Sequence, residues 1–368
     1  MHSRSIIVGL ALAMGVFFSR TVRGADAPAP VNSPDAKPET SNPKPETILP
    51  DPKDPHSWLW LGKLTDFSDQ DYRNAVEAVF ADYERRLGRK LTFGPKHHVG
   101  LKIMTEVEGL TTPPGLVRAV IAALEARGFQ AADLFIVDQS ESKLHAAGYL
   151  PLNAISGEGV FDGVQVIALE RGRYYSLKWS YDSNAPASDL AEQATAREKY
   201  DWQITPTKRQ SLLPVPLLLD VDFWINLPVG MEFGSIGPAG ALINATLWSC
   251  SNTARFFQNP DIGAKAIAEI ATVPEFARGW VLSMLSLEHF QCAGGPLFNS
   301  LYTDSDPVLL ASPNPVMLDR LLWERINLAR KSRGLPELDR PAYLDYARLP
   351  ETHLGDDDPK DVYMVKLP

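Results

Sequence analysis

Three short stretches carry side chains able to do chemistry. Lys102 to Glu108 supplies an ammonium and, in Glu106 and Glu108, two carboxylates. Asp138 to Ser142 supplies a carboxylate beside hydroxyls, and Asn226 to Gly240 an amide followed by Gly234, Gly237 and Gly240. Each stretch ends or follows an apolar run of strand length, and in open α/β sheets ligands lie beyond the carboxyl ends of the strands. Glu106, Glu108 and Asp138 suit a cation or sugar hydroxyls. Equally, the two glutamates suit solvated loop charges, and Asp138 the cap of a following helix. The three glycines can turn backbone N–H groups toward an anion at a helix start, and close backbone packing accounts for them as well. Their spacing is Gly-x-x-Gly-x-x-Gly, not the dinucleotide pattern Gly-x-Gly-x-x-Gly.

Other reactive types are scattered. His97 and His98 point to opposite faces if extended, so they make poor joint metal ligands. His289 beside Glu288 faces the same difficulty on a strand. No H-E-x-x-H or G-x-S-x-G motif is present. Two cysteines, Cys250 and Cys292, cannot build an iron–sulfur cluster or a Cys-rich zinc site, so neither metal nor cofactor is expected. The acidic run Asp356-Asp357-Asp358 reads as a solvated tail. A formal net charge of −9 argues against nonspecific nucleic-acid binding, which needs a basic face to displace phosphate counterions.

The elements that must position these groups follow from periodicity. A helix is predicted over Asp69–Leu87, capped by Ser68, with Tyr72, Val76, Val79, Phe80 and Tyr83 inward and Gly88 as the stop. Val99 to Met104 reads as a strand, Thr112-Pro113 opens a helix ending at Gly128, and Leu134 to Val137 reads as a buried strand. A helix over Ser140–Ala147 and a strand over Val164–Leu169 complete two crossovers. Residues 182–210 read as an insertion or lid. Phe223–Leu227 and Trp280–Leu287 read as strands, and Asn314-Pro315 caps a last long helix. The architecture expected is α/β: a mostly parallel sheet flanked by helices, Rossmann-like layering with insertions.

The N-terminus points to export. His2 and Arg4 precede the apolar run Ile6 to Phe18, which at about 1.5 Å per residue reaches roughly 20 Å, short of a membrane span. Small residues follow, so residues 1–24 read as a signal peptide for a periplasmic or extracellular protein. Residues 25–56, rich in Pro and charge, read as a disordered linker. The α/β domain is expected over 57–340, with a C-terminal tail over 341–368. In an oxidising compartment Cys250 and Cys292 can form one disulfide; two buried free thiols are the other reading. No membrane association is expected after signal cleavage.

The stretches Val99 to Pro151, WINLPVGMEFGSIGPAGALIN from Trp224 to Asn244, and CAGGPLFN from Cys292 together with PVLLASPNPVMLDRLLWERINLARKSRGLP ending at Pro336 resemble the domain of unknown function 362 family. The resemblance implies that Lys102, Asp138, Asn226, Gly240, Asn244, Gly294, Gly295 and Asp319 belong to the family's conserved pattern. It also implies losses. The family usually has Lys at Met231, His at Phe233, Lys at Ile243 and Asp at Ser286, groups able to move protons or hold anions. Two functions follow: an exported, catalytically depleted protein that binds a small anionic ligand or acts as a scaffold, or an exported enzyme acting on a small anionic or metal-bound metabolite through Lys102, Asp138 and Asp319. In either case a ligand is expected between Lys102, Asp138, Asn226 and the 234–240 glycines. Lys102 and Asp138 are expected to pair, since each is costly to desolvate singly. Lys102→Met is then expected to abolish anion binding and leave the fold intact.

Overall fold

The chain enters the described fold at a 3-10 turn, Pro55–Ser57, capped by Asp54, and runs into β1 (Trp58–Lys63). The structure is a computed structural model that describes residues 53–154, 158–171, 173–185 and 209–367. The expected signal peptide, all but the end of the linker, and most of the 182–210 insertion lie outside the described residues. α1 (Asp69–Leu87) forms as its sequence dictates: Ser68 Oγ accepts from Asp71 N at 3.3 Å, the inward side chains are buried, and Gly88 ends the helix at φ 67°. β2 (Val99–Ile103), α2 (Pro114–Glu125), β3 (Leu134–Asp138) and α3 (Glu141–Ala146) follow. The hairpin β4 (Glu158–Phe161) and β5 (Val164–Ala168) comes next.

β6 (Tyr175–Asp182) and β7 (Gln210–Pro214) pair antiparallel as a separate ribbon, so the insertion joins two strands. α4 (Val215–Leu219) leads to β8 (Phe223–Leu227). The glycine-rich stretch is not one turn. It is an antiparallel hairpin of β9 (Val229–Phe233) and β10 (Gly237–Ala239), and only then a short α5 (Ala241–Ala245). After α6 (Ala254–Phe257), α7 (Pro260–Ala271) and α8 (Pro274–Gly279) come β11 (Trp280–Gln291), β12 (Thr303–Asp304) and β13 (Val308–Ser312). α9 (Pro315–Ser332) starts on Asn314, whose side chain accepts from Met317 N at 2.9 Å.

The expected tail at 341–368 is, over its described residues to 367, part of the fold. α10 (Ala342–Ala347) buries Tyr343 and Leu344, and β14 (Tyr363–Lys366) pairs parallel with β1. Asp357 is buried with its carboxylate 2.5 Å from Arg340, so the acidic run is only partly solvated.

The large sheet runs β14-β1-β13-β11-β8-β2-β3-β5-β4. Its centre, β11-β8-β2-β3-β5, is all parallel, and the flanks β13 and β4 are antiparallel to their inner neighbours. In chain order those five parallel strands lie 5-4-1-2-3, the doubly wound order, whose direction reverses between β2 and β8. The expected α/β architecture is therefore present. Alternation divides the core. Leu101, Ile136 and Ile225 face α1 and α2, while Phe135, Val137 and Trp224 belong to the core that includes α5 and α7. Both faces are covered, which is why these strands read as continuous apolar runs.

Candidate functional site

The reversal between β2 and β8 is where a doubly wound sheet opens a crevice beyond its strand ends. Lys102 of β2 and Asn226 of β8 are register partners there, with Asp138 ending the next strand, β3. Lys102 Nζ donates to Asp138 Oδ1 at 2.7 Å, Asn244 Oδ1 at 2.9 Å and the Ile103 carbonyl at 2.6 Å. An ammonium has three N–H bonds, and all three are used inside the protein. Asp138 Oδ1 also accepts from Gln139 N, while Oδ2 accepts from Thr105 N and Thr105 Oγ1. Asn244 Nδ2 donates to Asn226 Oδ1 at 2.7 Å, and Asn226 Nδ2 to the Ala241 carbonyl at 2.8 Å. Lys102, Asn226 and Asn244 are fully buried. Burial pushes the Lys102 ammonium's pKa down, and the Asp138 charge opposes that shift.

A second group centres on Gly240 and Asp319. Asp319, buried on α9, accepts from Ala241 N at 2.5 Å and Leu242 N at 3.1 Å. The N–H donors expected to receive a ligand at the start of α5 are thus held by the chain's own carboxylate. Gly240 is glycine because a Cβ there would collide with Asp319 Oδ1 and lie 2.8 Å from Leu322 Cδ2. Desolvation lifts the Asp319 carboxyl to about 7, against the lowering effect of the two backbone N–H groups. Tyr343 of α10 closes this side and donates to the Pro238 carbonyl at 2.7 Å.

A third group repeats the arrangement. Glu232 of β9 accepts from Gly234 N at 2.8 Å and Gly295 N at 2.9 Å. A Cβ on Gly295 would run into the Glu232 carbonyl, and Gly294 takes φ 87° in the adjoining turn. Gly237, at φ 94°, has Pro341 close by; a Cβ there would lie 3.4 Å from it.

The structure therefore sorts the expected site residues. Lys102, Asp138, Asn226 and Asn244 form one network, tied through α5 to Gly240 and Asp319. Gly234, Gly294 and Gly295 belong with Glu232. Glu106 sits in the loop after β2 and pairs with Lys143; burial raises its pKa and Lys143 opposes the rise. Glu108 is exposed, as a loop charge would be. Met231 and Ile243 are buried in the core, and Phe233 packs on Trp248 and Phe257. Cys250 and Cys292 are both free and buried, so the disulfide does not form. Cys250 lies in the core over α5 and α7, Cys292 in a separate cluster under α9. Sequence reasoning missed Thr105, Glu232, Tyr343 and Ser283, whose Oγ accepts from Asn226 Nδ2 at 3.3 Å. Only Thr105 and Glu232 carried a signal, by standing inside the singled-out stretches. Among the described residues no group of three His, Cys, Asp or Glu is placed to hold a metal ion.

Fold and site together define a doubly wound α/β protein whose strand-end polar groups are satisfied internally. No protein-family model matches the chain, and no curated protein matches it. Among solved structures, the crystal structure of a protein from Thermotoga maritima is similar, with a TM-score of 0.38 and 13% identity. That match covers 76% of this chain and 62% of the other, so the chain spans less than two thirds of that protein.

Proposed function

We propose that this chain is an exported, non-catalytic protein, a scaffold or binding module with the strand-end site of an α/β enzyme turned into core. The observation that carries the reading is the Lys102 ammonium, fully buried with every N–H bond made to a protein acceptor. A ligand at the strand ends would have to break bonds to a desolvated charge, and each such bond is worth about 1.5–3 kcal/mol. Asp319 and Glu232 support the same reading, since each places a carboxylate where an anionic ligand would sit. The resemblance to the domain of unknown function 362 family, with its usual Lys and His absent at 231 and 233, agrees with a depleted site. Export rests on the apolar run Ile6 to Phe18 and the small residues after it.

The test is chemical. Reductive methylation of the native full chain, read by peptide mass spectrometry, is expected to modify exposed lysines such as Lys90 and leave Lys102 untouched. Methylation of Lys102 at a comparable rate, or its protection by an added small anion, would replace this reading with an enzyme whose crevice opens. Cell fractionation tests export separately: recovery of the intact N-terminus in the cytosol would overturn it.

A further inference from the structure

The C-terminal turns of α1 and α2 frame a groove of about 500 Å³. It lies away from the Lys102 network. α2 leaves the carboxyl end of β2 and must return to the amino end of β3, because those strands are parallel. The groove is lined by Arg85, Arg89, Lys90 and Arg127, against only Glu77 and Glu84 as carboxylates, in a chain whose net charge is −9.

Arg127 is built into its wall. Its side chain is 7% exposed, and its guanidinium lies 5.0 Å from the centre of the Phe80 ring. Nη1 and Nη2 donate to the two oxygens of Glu77 at 2.8 and 3.0 Å. Nε stands 3.0 Å from Glu84 Oε1 but out of line with it, so this buried N–H lacks an acceptor. Glu77, by contrast, is 53% exposed. Arg89 and Lys90 are exposed, and neither pairs with a carboxylate among the described residues. The helix ends would favour cations by their dipoles. Here, however, the last carbonyls accept from Gly88 N, Arg89 N, Arg127 N and Gly128 N, which reduces that bias.

We propose that this groove binds a compact dianion, a small molecule carrying two carboxylate or phosphoryl groups. One group takes the place of Glu77 on the planar fork of Arg127, where two oxygens already fit. Arg127 is buried and cannot be left unpaired, but Glu77 is 53% exposed, so the incoming group exchanges one partly solvated carboxylate for another on the same fork. The second group is held between Arg89 and Lys90. A single charge would only exchange with Glu77, so the groove selects two. The groove's role does not depend on whether the strand-end site is closed.

Isothermal titration of the full chain with succinate and with inorganic pyrophosphate, against acetate at matched ionic strength, tests the proposal. At least one dianion is expected to bind one to one, about tenfold or more tighter than acetate. The surface variant Arg89→Glu/Lys90→Glu is expected to lose about tenfold or more while its melting temperature stays put. Glu77→Gln, which frees the fork, is expected to bind several-fold tighter. Failure of both dianions to bind, parity with acetate, or unchanged binding by the charge-reversed variant would each overturn the proposal.

Discussion

Lys102 Nζ and Asp138 Oδ1 stand 2.7 Å apart at the ends of two adjacent parallel strands, with side chains 0% and 4% exposed. Two opposite charges removed from water together are tolerable; either one alone is not. The pair therefore joins β2 to β3, and through Asn244 it joins both to α5.

Lys102→Met should unfold the protein more readily, not leave it intact. Loss of one partner of a buried ion pair costs about 3–5 kcal/mol. Urea denaturation followed by circular dichroism measures it. A loss below about 1 kcal/mol would return Lys102 to the role of a ligand group with a spare donor. Lys102→Met/Asp138→Asn is expected to recover part of the stability, because no uncompensated charge remains.

Asp319 makes stability depend on pH in an unusual direction. Its carboxyl is raised from 3.8 to about 7 by burial, so between those values the folded chain holds a proton that the unfolded chain has released. Stability from this group is complete below 3.8 and is lost as pH rises to about 7, by at most about 1.4 kcal/mol per pH unit. Asp319→Asn keeps an acceptor for Ala241 N and should flatten the profile from pH 4 to 7. An Asn variant with the parent's slope would show that another group sets it.

Gly240→Ala should destabilise by about 3 kcal/mol or more, since the new methyl meets Asp319 and Leu322 on a packed helix. Thermal unfolding reads this. If Gly240→Ala is instead tolerated within about 0.5 kcal/mol, α9 does not press on α5 as described.

The cysteines should behave as two buried thiols. Burial pushes the Cys250 thiol's pKa up, and the same cause acts on Cys292. Iodoacetamide is expected to label neither in the native protein and both in guanidinium. A reducing agent is expected to leave the melting temperature unchanged. A fall of several degrees on reduction would mean that a bridge forms after all.

Tyr343→Ala should cost about 3–5 kcal/mol, the range for removing a large buried aromatic ring. Tyr343 of α10 is fully buried, and its hydroxyl donates to the Pro238 carbonyl. Chemical denaturation checks it. A neutral substitution would restore residues 341–368 to the status of a dispensable tail.

The parallel centre was legible because its strands are buried on both faces and read as unbroken apolar runs. α1 and α9 were legible from their caps and apolar periodicity, α2 from its periodicity, and the polar ends of β2, β3 and β8 followed from the strands themselves. What the chain's local pattern could not reveal is which donor meets which acceptor. Lys102 meets Asn244 across 142 residues, and Asp319 meets Ala241 across 78. Periodicity relates neighbours within a turn or a pleat, whereas those meetings depend on how whole elements stack. Glu232 reads as one more strand residue until Gly295 is brought beside it. The acidic run at 356–358 reads as solvated until Arg340 and Arg348 close over Asp357. By residue type alone, the sequence determined that ammonium, carboxylates and glycines gather at the strand ends. Only tertiary packing decided that they satisfy one another, because burial makes an unmet charge or N–H costly and draws the nearest partner from anywhere in the chain.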